Sequence, residues 1–281
     1  MKNKFSTVLL VIIFLAGLSL LLYPTVSDYW NSMHATAAIA QYSEMVNELD
    51  EKKYAELIEA AAEYNRVLSK HEDFSELGSE RRAQYESLLN IDGTGIMGYI
   101  EIPDIDIYLP IYHGTEESVL QIAVGHLEQT SLPVGGKSTH CVLSGHRGLP
   151  SAKLFTNLDQ IVEGDTFVIR VLDEVLTYEV TRILIVEPDD AEALKISEGK
   201  DMCTLVTCTP YGVNAQRLLV IGERTENAPD AKRIRVVSDA ARIEPLIVAP
   251  ALALPVLLVL VAVLLLKPAK KSKEAENEKN E

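Results

Sequence analysis

Two hydrophobic runs without an internal charge, Phe5 to Leu22 and Pro245 to Leu266, constrain this chain more than any other feature. A helix rises about 1.5 Å per residue, so the second run covers roughly 33 Å, enough to cross the hydrocarbon core of a bilayer. Pro245, Pro250 and Pro255 crowd its first half and place any kink or late start there. Lys2 and Lys4 precede the first run, and Lys267, Lys270, Lys271 and Lys273 follow the second. The preference of basic residues for the cytoplasmic side therefore puts both termini inside and residues 24 to 244 outside. A cleaved signal peptide is the alternative for the first run. Ala38-Ile39-Ala40 offers the small residues such a cleavage needs, but it lies far beyond Leu22.

What remains between the runs suits one catalytic domain of ordinary size with appendages. It carries most of an acidic excess that leaves the chain at a net charge of −15, which argues against nucleic acid as a partner. Three cysteines are too few for a disulfide framework, and an odd count leaves at least one thiol unpaired outside the membrane. No spacing typical of a metal site or a nucleotide-binding loop occurs, so neither a metal nor a cofactor is expected.

From Ser27 to Lys70 apolar residues recur at three- and four-residue steps: Ile39, Tyr42, Val46 and Leu49, then Tyr54, Leu57, Ala61, Tyr64 and Leu68. This is an amphipathic helical arm, broken near Asp50, that packs on the domain or holds it off the lipid. A short helix is expected over Glu80 to Leu89. From Met97 the pattern changes to strands, at Met97 to Ile102, Ile105 to Leu109, Thr139 to Ser144, Thr166 to Leu172, Leu176 to Val186, Cys203 to Cys208 and Arg217 to Glu223. A short helix is expected at Ala152 to Gln160. Many short strands with few helical crossovers predict a mainly β fold, a closed barrel rather than a parallel sheet.

Cys208 ends a strand and meets the turn sequence Thr209-Pro210-Tyr211-Gly212, so its thiol is held rigidly at a strand mouth. A hairpin returning at Arg217 brings a cation beside that thiol, where it favours the thiolate or a developing oxyanion. A nucleophilic thiol also needs an imidazole partner. His146, between Gly145 and the pair Arg147-Gly148 just after an apolar strand, is the best placed of the six histidines. Cys141 and Cys203 each lie five residues before His146 and Cys208. If their strands run side by side in parallel the two thiols are neighbours, and buried reduced cysteines are favoured over a disulfide.

Three segments together resemble the signature of sortases: Ser144-Gly145-His146-Arg147-Gly148, Thr204-Leu205-Val206-Thr207-Cys208 and Asn214-Ala215-Gln216-Arg217-Leu218-Leu219. The resemblance extends over about Met97 to Arg224. The two apolar runs and the helical arm look like class C, the pilus-assembling sortases of Gram-positive bacteria. It implies an eight-stranded barrel with Cys208, His146 and Arg217 as catalytic triad and no cofactor. The implied substrates are pilin or surface-protein precursors with an LPxTG-type sorting signal, and the acceptor is a pilin lysine. It also implies a lid before the barrel. The matching stretch is His71-Glu72-Asp73-Phe74, which lacks the proline such lids carry, so Glu72, Asp73 and Phe74 are the lid candidates and Thr207 a further substrate-side candidate.

The expected layout is a transmembrane anchor at 1–23, the arm and lid at 24–95, the barrel at 96–226, a linker at 227–244, a second transmembrane helix at 245–266 and a cytoplasmic tail at 267–281. A papain-like protease is a poor fit, because its nucleophile precedes its histidine and here His146 precedes Cys208. A sorting substrate is disfavoured because no LPxTG precedes the second run: the nearest segments are Ile243-Glu244-Pro245-Leu246 and Leu254-Pro255-Val256. A sortase that attaches proteins to peptidoglycan would use the same triad and stays open.

Overall fold

The computed structural model describes residues 2–70, 78–91 and 93–227. The described residues divide into two units, 2–26 and 27–227. Helix α1 spans Lys2–Asn47. Among the described residues it is the one helix long and apolar enough to cross a membrane, and none of its apolar window is buried. The second apolar run, the tail and the lid candidates Glu72, Asp73 and Phe74 lie outside the described residues.

Within the second unit, the end of α1 buries Ala35, Ile39 and Tyr42, the face the three- and four-residue steps mark out. Ala38-Ile39-Ala40 therefore lies inside a packed helix. The backbone amide of Lys153 donates to Asp28 at 2.7 Å, and the Asn31 side chain donates to the Ser151 carbonyl at 2.8 Å. The break falls where the sequence marks it. Asp50 caps helix α2 (Glu51–Leu68) by accepting from the Lys53 amide at 2.7 Å, and Glu51 adds negative charge to the first turn. Helix α2 buries Ala61, Tyr64, Asn65 and Leu68. Its Asn65 holds the barrel by a two-way pair, donating to the Leu132 carbonyl at 2.9 Å and accepting from the Leu132 amide at 2.7 Å. Helix α3 (Ser79–Ser87) follows and buries Tyr85.

Eight strands close the barrel: β1 Ile96–Ile102, β2 Ile107–His113, β3 Val124–His126, β4 Thr139–Ser144, β5 Thr166–Val171, β6 Glu174–Val186, β7 Asp201–Thr209 and β8 Gln216–Arg224. Their order around it is β1-β2-β3-β4-β7-β8-β6-β5. Pairs β2/β3 and β4/β7 are parallel and the others antiparallel. Ile100, Leu143, Phe167, Tyr178, Leu205 and Val220 fill the interior, with the Phe167 and Tyr178 rings stacked at 5.5 Å.

Two expectations need correction, and one strand had no counterpart among them. The strand expected at Ile105 to Leu109 runs instead over Ile107–His113, after a turn in which Asp106 is left-handed at φ 55°. Pro110 pairs with Tyr99 within the ladder. Strand β3 has three residues and no alternation to announce it. The helix expected at Ala152 to Gln160 is only a 3-10 turn at Leu158–Gln160, because Leu154 at φ 42° cannot continue a right-handed helix.

Tyr42 shows how the arm is fastened. The β1/β2 register shifts between Ile96 and Gly98, and the intervening Met97 carbonyl accepts from the Tyr42 hydroxyl at 3.0 Å. The same hydroxyl accepts from the Leu172 amide at 2.7 Å, at the β5–β6 corner. Tyr42→Phe strands two buried backbone groups at once. It is expected to lower unfolding free energy by about 1–3 kcal/mol, read by denaturant titration of the full chain.

Candidate active site

The site is a consequence of register. On the antiparallel pair β7/β8, Cys208 lies directly opposite Arg217. On the parallel pair β4/β7, Cys141 faces Cys203 and Ser144 faces Val206. Beyond the end of β4 the alignment continues, because the Gly145 amide donates to the Val206 carbonyl at 3.0 Å and the Thr207 hydroxyl donates to the Gly145 carbonyl at 2.8 Å. His146 is the next residue of that loop, and the same offset carried one step further would set it against Cys208. Strands β7 and β8 thus set a thiol against a guanidinium, and the loop after β4, hydrogen-bonded to the same end of β7, carries the imidazole.

The local sequence explains why His146 stops there. A Cβ at Gly145 would lie 2.6 Å from the Phe155 ring, so only glycine lets the chain pass over that buried aromatic. The Phe155 amide then donates to the His146 carbonyl at 3.1 Å and fixes the backbone of the residue itself. The His146 side chain is about a quarter exposed, and its Nε2 lies 3.4 Å from Oε2 of Glu117, on helix α4 (Glu117–Leu120). Thr207 is buried, so it acts as a brace between β7 and the His146 loop.

All three cysteines are free, but only Cys208 is accessible. Cys141 and Cys203 are the buried neighbours expected from their spacing, and burial pushes the Cys203 thiol well above its ordinary range. Arg217 donates to the Gln216 carbonyl at 3.2 Å, and Gln216 in turn donates to Glu187 at 2.9 Å. Among the described residues Arg217 has no carboxylate partner, which leaves its guanidinium available to an incoming carbonyl oxygen. No group of three His, Cys, Asp or Glu side chains among the described residues could hold a metal ion.

Two contributors escape a reading by sequence alone. Arg147 is buried and ion-paired with Asp159, its guanidinium lies 5.8 Å from the Tyr211 ring centroid, and it donates to the Thr209 hydroxyl at 3.4 Å. It ties the His146 loop to the turn that follows Cys208. The Ser-Gly-His-Arg-Gly segment draws attention to Arg147, but nothing in the sequence points to Asp159. Glu117 is the other, one of several acidic residues with no local pattern to distinguish it.

A sortase-domain family profile matches residues 100–225. Sortase D of Bacillus subtilis is 31% identical over 130 residues, which are 45% of this chain and 63% of that protein, so the match spans less than two thirds of that relative's length. The crystal structure of sortase C1 from Streptococcus agalactiae matches with a TM-score of 0.67 and 52% identity, covering 68% of this chain and all of that one. Sortase C of Clostridium perfringens, solved with the C-terminal cell wall sorting motif, matches with a TM-score of 0.61 and 44% identity over 69% of this chain and 100% of that one.

Proposed function

The chain belongs to the sortase family of cysteine transpeptidases, and from that premise we propose that it joins pilin subunits by cleaving an LPxTG-type sorting signal and transferring it to a pilin lysine. What supports this reading is the accessible thiol of Cys208, directly opposite Arg217 on β7/β8, with His146 in the loop that follows β4 where β4 runs parallel to β7.

The sulfur of Cys208, as thiolate, attacks the carbonyl carbon of the Thr-Gly bond. The carbonyl oxygen takes up negative charge opposite Arg217, whose guanidinium stabilises it. As the C–N bond breaks, His146 gives its proton to the departing glycine amine, leaving a thioester on Cys208. The lysine ε-amine of the next subunit then attacks that thioester, passes a proton to His146 and displaces the thiolate. The product is an isopeptide, and both side chains return to their starting protonation states. No external oxidant or energy source enters, because an amide bond is exchanged for an amide bond.

Pilin polymerisation is preferred over attachment to peptidoglycan because the matches to sortases C cover 68% and 69% of this chain, more than the barrel alone, and the second apolar run offers a further anchor. In this reading α1 and residues 245–266 anchor the enzyme with both termini in the cytoplasm and the barrel outside. The full chain reconstituted in liposomes with a pilin precursor should give a ladder of covalent polymers, resistant to boiling in detergent. Release of monomeric cleaved pilin alone, or transfer only to a peptidoglycan precursor, would favour the anchoring enzyme instead.

A further inference from the structure

We propose that Glu117 is a positioning carboxylate for His146, fixing which nitrogen of the imidazole carries the proton while the other serves the reaction. The proposal rests on the reading of His146 as the group that moves protons at Cys208.

Three observations converge on Glu117. Its Oε2 lies 3.4 Å from Nε2 of His146. Its other oxygen, Oε1, accepts from the side-chain amide of Gln121, one helical turn further on, so the carboxylate is held from both sides. The hydrogen bond from Gln121, and then that from His146, hold its carboxyl below the usual carboxylate range, so it stays charged wherever the enzyme works.

The segment that carries Glu117 is itself fastened. Arg82 of α3 bridges Glu116 at 3.1 Å and Glu128 at 2.6 Å, either side of α4 and β3. The Gly114 amide at the end of β2 donates to the buried Tyr85 hydroxyl at 3.0 Å, and that hydroxyl is also hydrogen-bonded to His126 of β3 at 2.9 Å. Helix α3 thus sets the corner from which Glu117 reaches His146. This matters because Glu117 is 71% exposed, and an exposed charge pair contributes little to stability. Its value lies in orientation. A carboxylate at Nε2 keeps the proton on that nitrogen and leaves Nδ1 to exchange protons with thiol, leaving amine and acceptor amine. It also favours the imidazolium formed during acyl transfer.

The test uses the full chain in detergent micelles, with Glu117→Ala, Glu117→Gln and Gln121→Ala, and two readouts. In steady-state cleavage of an LPxTG peptide, Glu117→Ala should lower kcat about fivefold with KM changed less than twofold. Glu117→Gln keeps an acceptor for the ring and should recover part of that loss, and Gln121→Ala should show a smaller loss in the same direction. Nitrogen chemical shifts of the His146 ring, measured without substrate at a pH high enough to leave the ring neutral, should report the Nε2–H tautomer in the wild type and a mixture in Glu117→Ala. An unchanged or raised kcat in Glu117→Ala, or an unchanged tautomer, would overturn the proposal. A wild type that shows the Glu117-dependent tautomer but never cleaves the peptide would overturn the assigned reaction and leave the positioning role standing.

Discussion

Cys208→Ala is expected to abolish thioester formation and lower peptide cleavage by at least about 10⁴-fold, because no other group in the site can take the acyl chain. The two remaining thiols offer no substitute. Cys141 and Cys203 are buried behind the site on β4 and β7, and neither presents its sulfur at the strand mouth. The loss is chemical and not structural. Cys208 is half-buried at the end of β7, where the ladder to β8 is backbone, so truncation to alanine leaves the pairing with Arg217 in place. Wild-type thermal stability alongside missing acyl-enzyme is the expected combination.

His146→Ala should be nearly as severe, about 10³-fold in kcat/KM, since general acid–base transfer contributes roughly 10²–10⁴-fold and both half-reactions need it. Here too the backbone bonds survive: Gly145 to Val206 and Phe155 to His146 involve no imidazole atom. The expected signature is therefore a folded protein with its thiol intact. Slow residual acylation with a good leaving group, and almost none with a natural amide, would fit the loss of the proton donor. An unimpaired rate with the amide substrate would show that another group protonates the leaving amine.

The architecture is read from sequence to different depths in different places. The arm was legible because one face of a helix must repeat every three or four residues, and Ile39, Tyr42, Ala61, Tyr64 and Leu68 all lie buried where that rule puts them. The break at Asp50 was legible because a capping side chain is a local signal. Strand β3 was not, since three residues cannot display a period, and Leu154 hid its left-handed turn behind an ordinary side chain. At the site, the hairpin from Cys208 to Arg217 followed from local turn chemistry. The spacing of Cys141 and Cys203 held a parallel register that the structure displays as far as Ser144 and Val206, two residues short of His146 and Cys208. The contribution of Glu117 depends on a contact across 29 residues and on the fastening of α4 by α3. Non-local geometry of that kind leaves no periodic trace.

In the proposed reaction Cys208, opposite Arg217 and served by His146, takes the acyl half of a sorting signal. Its most direct test mixes the full chain in detergent with an LPxTG peptide, quenches in acid within seconds and measures intact mass. The expected product is an adduct equal to the peptide up to its threonine, mapped to Cys208, removed by neutral hydroxylamine and missing from Cys208→Ala. An adduct on Cys141 or Cys203, or peptide cleavage that persists in Cys208→Ala, would contradict it.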